Sequence, residues 1–485
     1  MAPSFLATRR GKATLALLCA IAFLDFVDAS IVNIALPHIR QDLHFSVQDL
    51  QWVLSGYLLT YGGFMLLGGR AGDLLGRRRV LVTGTALFAV SSLVGGFAGN
   101  AGVLVGARLS QGLGAALMLP AALSLLTTSF KEGKDRHTAL GVWGGVAGLA
   151  SAAGVFLGGV LTEGPGWRWV LFVNPPIAVV LIGAIFWLIP GEQRRSSLAN
   201  FDALGTVLVT GGMLLLVFGL VKAPDQGWGS GRTIGELVGA GALLIAFVVN
   251  EQRSRNPLIP LSIFRIRGLG AADVTMLVAA AGIISMFFFL TLYMQNVLHY
   301  SPIKTGAAYL PFCGGVAVAA TITSQLMPKI GTRPLIVVGN LIGAGGLYWL
   351  SRIPVDGSYL SDLFPGMMIT SLGLGAMFVS VATAANAGVP ADKAGLAAAL
   401  LNSSQQVGGA LGLAIFSAIA TARTNHLFAT HASPAHALTA GFHRALLAEC
   451  FFLLATALIA LRTSNARGEV AESSVEPTVE PAVVS

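Results

Sequence analysis

Apolar residues gather along this chain into runs of roughly 17–25, and neither the short period of a half-buried strand nor the striped period of a surface helix describes them. A run of that length crosses the hydrocarbon of a bilayer as an α-helix. Fourteen such runs fall between residues 13 and 461, the first over 13–36, the eleventh over 335–351 and the last two over 396–420 and 440–461. The pattern predicts an all-α membrane protein, with both termini on the same side because the number of spans is even. The longest polar connections, about 190–202 and 251–267, flank the seventh and eighth runs. They divide the chain into an N-terminal six-helix bundle (1–189), two inserted helices with their linkers (190–267), a C-terminal six-helix bundle (268–462) and a polar tail (463–485) expected to be disordered.

Composition sharpens this. Of 485 residues 54% are hydrophobic and 11% charged, whereas a soluble chain carries about a quarter charged residues. The 60 glycines suit spanning helices, which use small residues to approach one another closely. The net charge of +8 resides in connections between spans, and no basic stripe with interleaved aromatics marks a nucleic-acid surface. Arg9, Arg10, Lys12, Arg70, Arg77, Arg78, Arg79, Arg136, Arg194, Arg195 and Arg333 all fall on one side, which the positive-inside rule makes cytoplasmic, termini included. The opening Arg9-Arg10-Gly11-Lys12 has the flavour of a signal peptide, but two aspartates interrupt the apolar run, which reads as a retained first span. Cys19, Cys313 and Cys450 lie far apart in apolar runs, with neither disulfide nor zinc spacing. His426, His431, His436 and His443 fall in an outer loop, 421–443, and read as solvated side chains since their spacing fits no zinc pattern. No metal, phosphate-loop or nucleophile motif points to an enzyme, and no cofactor is implied.

Charged residues inside the spans carry the candidate chemistry, because each costs at least a few kcal/mol in hydrocarbon unless it faces water, a partner or a substrate. Asp25 and Asp28 share a face of the first helix, being three residues apart, and a buried pair so placed titrates as a unit. Arg108, in the fourth span, has no acid within one turn on its own helix. Its acceptor must come from elsewhere: Asp25, Asp28, a backbone carbonyl or water. A buried ion pair that only fixes the bundle is the alternative to a coupling role. Asp202 suits the cap of the seventh helix, Asp273 a gate or a helix N-terminus, and Glu449 lies well inside the last span. Tyr57, Tyr61, Phe287, Gln295, Asn402 and Gln406 either line a cavity or pack between helices.

Between the second and third spans the chain reads Gly68-Gly-Arg-Ala-Gly-Asp73-Leu-Leu-Gly-Arg77-Arg-Arg. Gly72 and Gly76 permit a tight turn, and Asp73 reaches an arginine four residues on or a facing helix N-terminus. In the fifth span Gly141, Gly144, Gly145 and Gly148, then Gly154, Gly158 and Gly159, have the spacing of close helix packing.

These segments resemble the major facilitator superfamily. The loop at 68–79 is similar to its signature loop, with Arg70 and Leu74 as departures. Val27-Asp-Ala-Ser-Ile-Val-Asn-Ile-Ala-Leu-Pro37 resembles the first-helix motif of the fourteen-helix drug:proton antiporters. Arg108-Leu-Ser-Gln111-Gly112 is similar to the superfamily's Arg-x-x-Gln-Gly, Trp167–Pro175 to the segment entering the sixth helix, and Ala394–Gly409 to that of the thirteenth. In the fifth helix the antiporters have Gly-Pro where this chain has Gly154-Val155. The resemblance implies a major facilitator fold of fourteen helices, acting as a monomer in the plasma (inner) membrane and exporting a lipophilic drug or antibiotic, neutral or cationic, in exchange for protons. It assigns proton and substrate handling to Asp28, Asp25, Arg108 and Gln111, a conformational latch to Gly72, Asp73, Gly76 and Arg77, and helix packing to Gly154, Gly158 and Gly159. Asp28 is the family's acid, whereas Asp25 is additional. A proton symporter importing a small metabolite is the rival reading.

Overall fold

A computed structural model describes residues 5–130, 133–191, 202–254, 257–390 and 393–467. Among them every long element is an α-helix and there is no strand. The helices are α1 (Arg9–Leu43), α2 (Trp52–Leu75), α3 (Arg77–Gly96), α4 (Ala101–Ser129), α5 (Lys134–Glu163), α6 (Trp169–Phe172), α7 (Asn174–Leu188), α8 (Ala203–Gln226), α9 (Gly231–Arg253), α10 (Leu269–Asn296), α11 (Pro302–Ile330), α12 (Thr332–Leu350), α13 (Phe364–Asn386), α14 (Ala394–Ala429) and α15 (Pro434–Ala460). The short α6 and α7 together fill the sixth predicted span.

Thirteen spans among the described residues are long and apolar enough to cross a membrane. The eleventh predicted span corresponds to α12, which falls outside that set. Its 19 residues include Arg333 and Asn340, which lower its mean hydropathy, while the helix packs between α13 and α15. Several helices outrun their apolar cores. α1 continues through Pro37 to Leu43, and α14 continues through Arg423 and His426 to Ala429. The expected outer loop 421–443 thus shrinks to the turn before Pro434: Ser433 caps α15, His436 and His443 are helical, and His443 Nε2 lies 2.6 Å from the Ile353 carbonyl. Polar residues past the hydrocarbon boundary lose nothing by remaining helical, so hydropathy marks the membrane and not the helix end. Asp202 does cap α8, accepting from the Gly205 amide at 2.8 Å.

One group of helices, α1–α7, packs about α1 and α4; a second, α10–α15, packs about α10 and α13. The pair α8–α9 rests on α2 and α14 through α8. Lipid-facing side chains ring the outside, including Trp187 at 80% exposure and Ile245 at 67%. Contiguous apolar exposure on this scale belongs to a surface that faces hydrocarbon rather than water. Residues 463–467 lie against the α12 N-terminus, where Thr332 Oγ1 donates to the Ser464 carbonyl and Arg333 Nη2 to that of Thr463. The remainder of the tail, 468–485, lies outside the described residues.

The end of the bundle carrying the start of α1 and the α2–α3 turn is termed the basic end. The two groups join at mid-depth and towards the other end. There Asn33 Nδ2 donates to Thr291 Oγ1, Gln295 Nε2 to the Ile34 carbonyl, and the Ile303 amide to Glu163 Oε2. At mid-depth Ser403 Oγ donates to the Gly62 carbonyl at 2.6 Å. Gly159 lies where a Cβ would come within 2.6 Å of the Pro302 carbonyl, so α5 and α11 touch backbone to backbone. Nearer the basic end a Cβ on Gly141, Gly144, Gly145 or Gly148 would meet nothing within 4 Å. The tight packing expected at these four glycines is therefore not found, because here the two groups part. The molecule opens at its basic end.

Ser403→Ala deletes one neutral contact across the groups, worth about 1 kcal/mol. It is expected to shift the balance between joined and parted states by roughly fivefold. Distances between spin labels at the exposed Gly141 and Gln325 would register that shift.

Candidate functional site

The site is built where α1, α2, α4 and α7 meet, in the half of the bundle away from its basic end. Arg108 is 0% exposed, although its guanidinium is charged at any physiological pH. Its Nη1 donates to Asp28 Oδ2 at 2.6 Å and to Gln111 Oε1 at 2.6 Å, while its Nε donates to the Val53 carbonyl of α2 at 3.0 Å. Gln111 lies one turn along α4 from Arg108, so both reach α1 from the same helix face. Gln111 Nε2 donates to Asp28 Oδ1 at 2.8 Å. Asn174 Nδ2, from the first turn of α7, donates to the same oxygen at 2.6 Å and to Ser92 Oγ of α3 at 2.9 Å. Ser92 in turn donates to the Leu171 carbonyl. Three side chains from two helices thus converge on one carboxylate, and short charge-assisted bonds of this kind are the stronger class.

Asp25 has a different environment. It is 1% exposed and accepts from two tyrosines one turn apart on α2, Tyr57 at 2.7 Å and Tyr61 at 3.0 Å. The guanidinium of Arg108 sits over the Tyr57 ring, 4.3 Å from its centroid. Tyr57 therefore touches both polar clusters: its hydroxyl serves Asp25, and its ring face serves Arg108. The two aspartates share a helix face yet answer to different partners.

Close helix approach makes this geometry possible. A Cβ on Gly112, the glycine following Gln111, would fall 2.3 Å from the Tyr57 carbonyl and 2.3 Å from Thr60 Oγ1. Only a bare α-carbon lets α4 lie this close to α2, which brings Val53 within reach of Arg108. Gly154 and Gly158 set α5 against α1, where a Cβ would meet Val27 O at 2.9 Å and Ile31 O at 2.6 Å respectively. Val155 is buried and leaves α5 unbroken from Lys134 to Glu163.

Of the residues assigned to the latch, Gly76 joins α2 to α3 with φ 97°, a left-handed backbone that glycine adopts without strain. Gly72 lies beside Arg77, with 3.8 Å between its hypothetical Cβ and the Arg77 Cγ. The side chain of Asp73 lies outside the described residues. Neighbouring arginines reach elsewhere: Arg78 Nη2 donates to the Phe186 carbonyl of α7, and Arg70 Nη2 to that of Pro257.

Asp28, Arg108 and Gln111 are brought together, and Asp25 stands beside them with Tyr57 and Tyr61. Sequence reasoning gave no role to Asn174, although a polar amide immediately before Pro175 in an apolar span was a visible signal. Nothing in the sequence marks the Val53 carbonyl.

A two-group helical bundle that parts at one end and buries a charged cluster between its helices has the architecture of a membrane transporter. Residues 18–413 match the Major Facilitator Superfamily, and the chain belongs to that family. It is 38% identical to the puromycin resistance protein pur8 of Streptomyces alboniger, with 96% of this chain and 94% of that protein aligned. The cephamycin export protein CmcT of Amycolatopsis lactamdurans is 37% identical over 93% of this chain and 92% of its own length. The tetracenomycin C resistance and export protein of Streptomyces glaucescens is also 37% identical, over 83% and 74% respectively. Among solved structures, a bacterial homologue of the human lysosomal transporter Spinster, inward-facing and unoccupied, aligns with a TM-score of 0.67 at 16% identity, covering 94% of this chain and 97% of its own.

Proposed function

We propose that this protein is a proton-driven exporter of lipophilic small molecules of antibiotic type. It would act as a monomer in the plasma membrane with its basic end and both termini in the cytoplasm. The observation that carries this reading is the Asp28–Arg108 pair, buried between spanning helices in a chain whose relatives are named for antibiotic resistance and export. Those names favour outward transport over import of a metabolite.

In this reading Asp28 is the proton site. A proton arriving on its carboxylate removes the charge that Arg108 Nη1 faces, while the guanidinium keeps its bonds to Gln111 Oε1 and the Val53 carbonyl. The link between α1 and α4 weakens, and the balance between the two openings of the bundle shifts. Asp25, held by tyrosine hydroxyls rather than by an arginine, is the acid able to turn to a cationic substrate by exchanging neutral donors. Gly72, Asp73, Gly76 and Arg77 would latch the basic end when the groups close there.

Cells expressing the chain and loaded with ethidium, a lipophilic cation, test the direction. Collapsing the proton gradient with a protonophore is expected to raise the dye content of expressing cells to that of cells without the protein. A fall in content on collapse would replace export by import.

A further inference from the structure

The Asp28 network accounts for one acid buried between the helices, but the other group of helices holds another that it does not use. Glu449 lies near the middle of the 27-residue α15, and its α-carbon side packs against Gly282, the middle of the 28-residue α10. It is 0% exposed, and neither carboxyl oxygen has a hydrogen-bond partner. Buried polar atoms in native structures nearly always find partners, so a carboxyl with two bare oxygens requires a reason. No charged group lies at its level. On α10 the nearest titratable side chains along the helix are Asp273, towards the basic end, and Tyr293, towards the other. α12 carries Arg333 and Tyr348 near its two ends, and α14 has none between its start and Arg423. On α15 itself stand His436, His443, bonded to Ile353, the exposed Arg444, which lies five residues before Glu449, and Cys450.

The contrast with Asp28 is instructive. Asp28 is surrounded by donors, an environment for a carboxylate. Glu449 has no hydrogen-bond donor on either oxygen, and the half in which it is buried has an apolar core that includes Phe289, Phe416 and Phe442. Packing alone would be better served by glutamine or leucine of similar size, since an unpartnered carboxyl stabilises nothing. A carboxyl in such a place has one use that those residues lack: it carries a proton.

We propose that Glu449 is a second proton-binding site, in the half of the molecule opposite Asp28, that takes up and releases a proton during the transport cycle. The proposal rests on the proton-driven reading above. On release, the proton leaves an ionised carboxylate that the present arrangement leaves without donors. The α10–α15 contact at Gly282 must then loosen to admit water, which couples Glu449 to the same α10 that bonds to α1 through Thr291 and Gln295.

The test uses the full-length protein in lipid, by infrared difference spectroscopy of the protonated carboxyl C=O band between acid and alkaline pH. Wild type is expected to lose a buried carboxylic acid band as pH rises; Glu449→Gln lacks that component and Glu449→Asp restores it at a shifted frequency. In proteoliposomes exporting ethidium, Glu449→Gln is expected to move fewer protons per dye molecule. A band that persists unchanged in Glu449→Gln, an acid band that never titrates in wild type, or an unaltered proton-to-dye ratio would each overturn the proposal. Loss of gradient dependence is read separately in Asp28→Asn. If that variant keeps wild-type coupling Asp28 is not the proton site, and if wild-type export survives collapse of the gradient the proton-driven reading fails, whereas the infrared band still reports on Glu449 alone.

Discussion

Asp28→Asn is expected to abolish gradient-driven export while leaving a folded but weakened protein in the membrane. The substitution keeps the shape and removes the charge. Asparagine's oxygen can still accept from Gln111 and Asn174, but its amide then faces Arg108 Nη1, donor against donor. Arg108 remains 0% exposed and loses the carboxylate it is bonded to. Breaking one side of a buried pair costs about 3–5 kcal/mol, because the remaining ion stays desolvated. Melting in detergent should therefore fall sharply, and dye efflux from proteoliposomes should drop to that of empty vesicles under an imposed proton gradient. Adding Arg108→Gln should restore much of the lost stability, since no charge is then stranded, without restoring export. This separates the structural contribution of the pair from its role in coupling. Proton-driven efflux at the wild-type rate in the single variant would remove Asp28 from the mechanism.

The second large effect is steric. Gly112→Leu is expected to yield no folded transporter, and Gly112→Ala a protein with depressed melting and little export. Even a single Cβ there collides with the Tyr57 carbonyl, which is backbone and cannot rotate away. Relief requires α4 to retreat from α2, which stretches Arg108 from Val53 and lifts its guanidinium off the Tyr57 ring. Overpacking typically costs 1–3 kcal/mol and more where backbone must move. Gly106→Ala, on the same helix with nothing within 4 Å of the added carbon, should be silent or slightly stabilising. Comparable melting temperatures for Gly106→Ala and Gly112→Ala would refute this account.

The helices were legible because the length of each apolar run is dictated by the bilayer, a constraint that leaves little freedom. Their ends were not, since α14 and α1 extend past the membrane where hydropathy is silent. α12 was read as a span from a short apolar run that Arg333 borders and Asn340 interrupts, and it is a helix packed between α13 and α15. At the site, the cost of charge in hydrocarbon exposed Asp25, Asp28 and Arg108 without any structure. Which acid meets the arginine depends on helix rotation, which the sequence does not encode locally. Tyr57 and Tyr61, one turn apart on α2, claim Asp25 and so leave Asp28 for Arg108. Asn174 depends on the start of α7 being carried up to α1 by a neighbouring helix. The Val53 carbonyl is an acceptor that any residue type would have supplied.

Val155 has a mechanical meaning beyond the proline it replaces. A proline would kink α5 and free one carbonyl; with valine the helix is one stiff rod, pinned near its far end where Val155 O underlies Gly306 and Gly159 meets Pro302. Gly144, on its bare half, stands about 16 Å along the axis from that pin at the usual helical rise. α5 is then a lever with an off-centre fulcrum, and a tilt small enough to spare the glycine contacts becomes a displacement of side-chain size at the basic end.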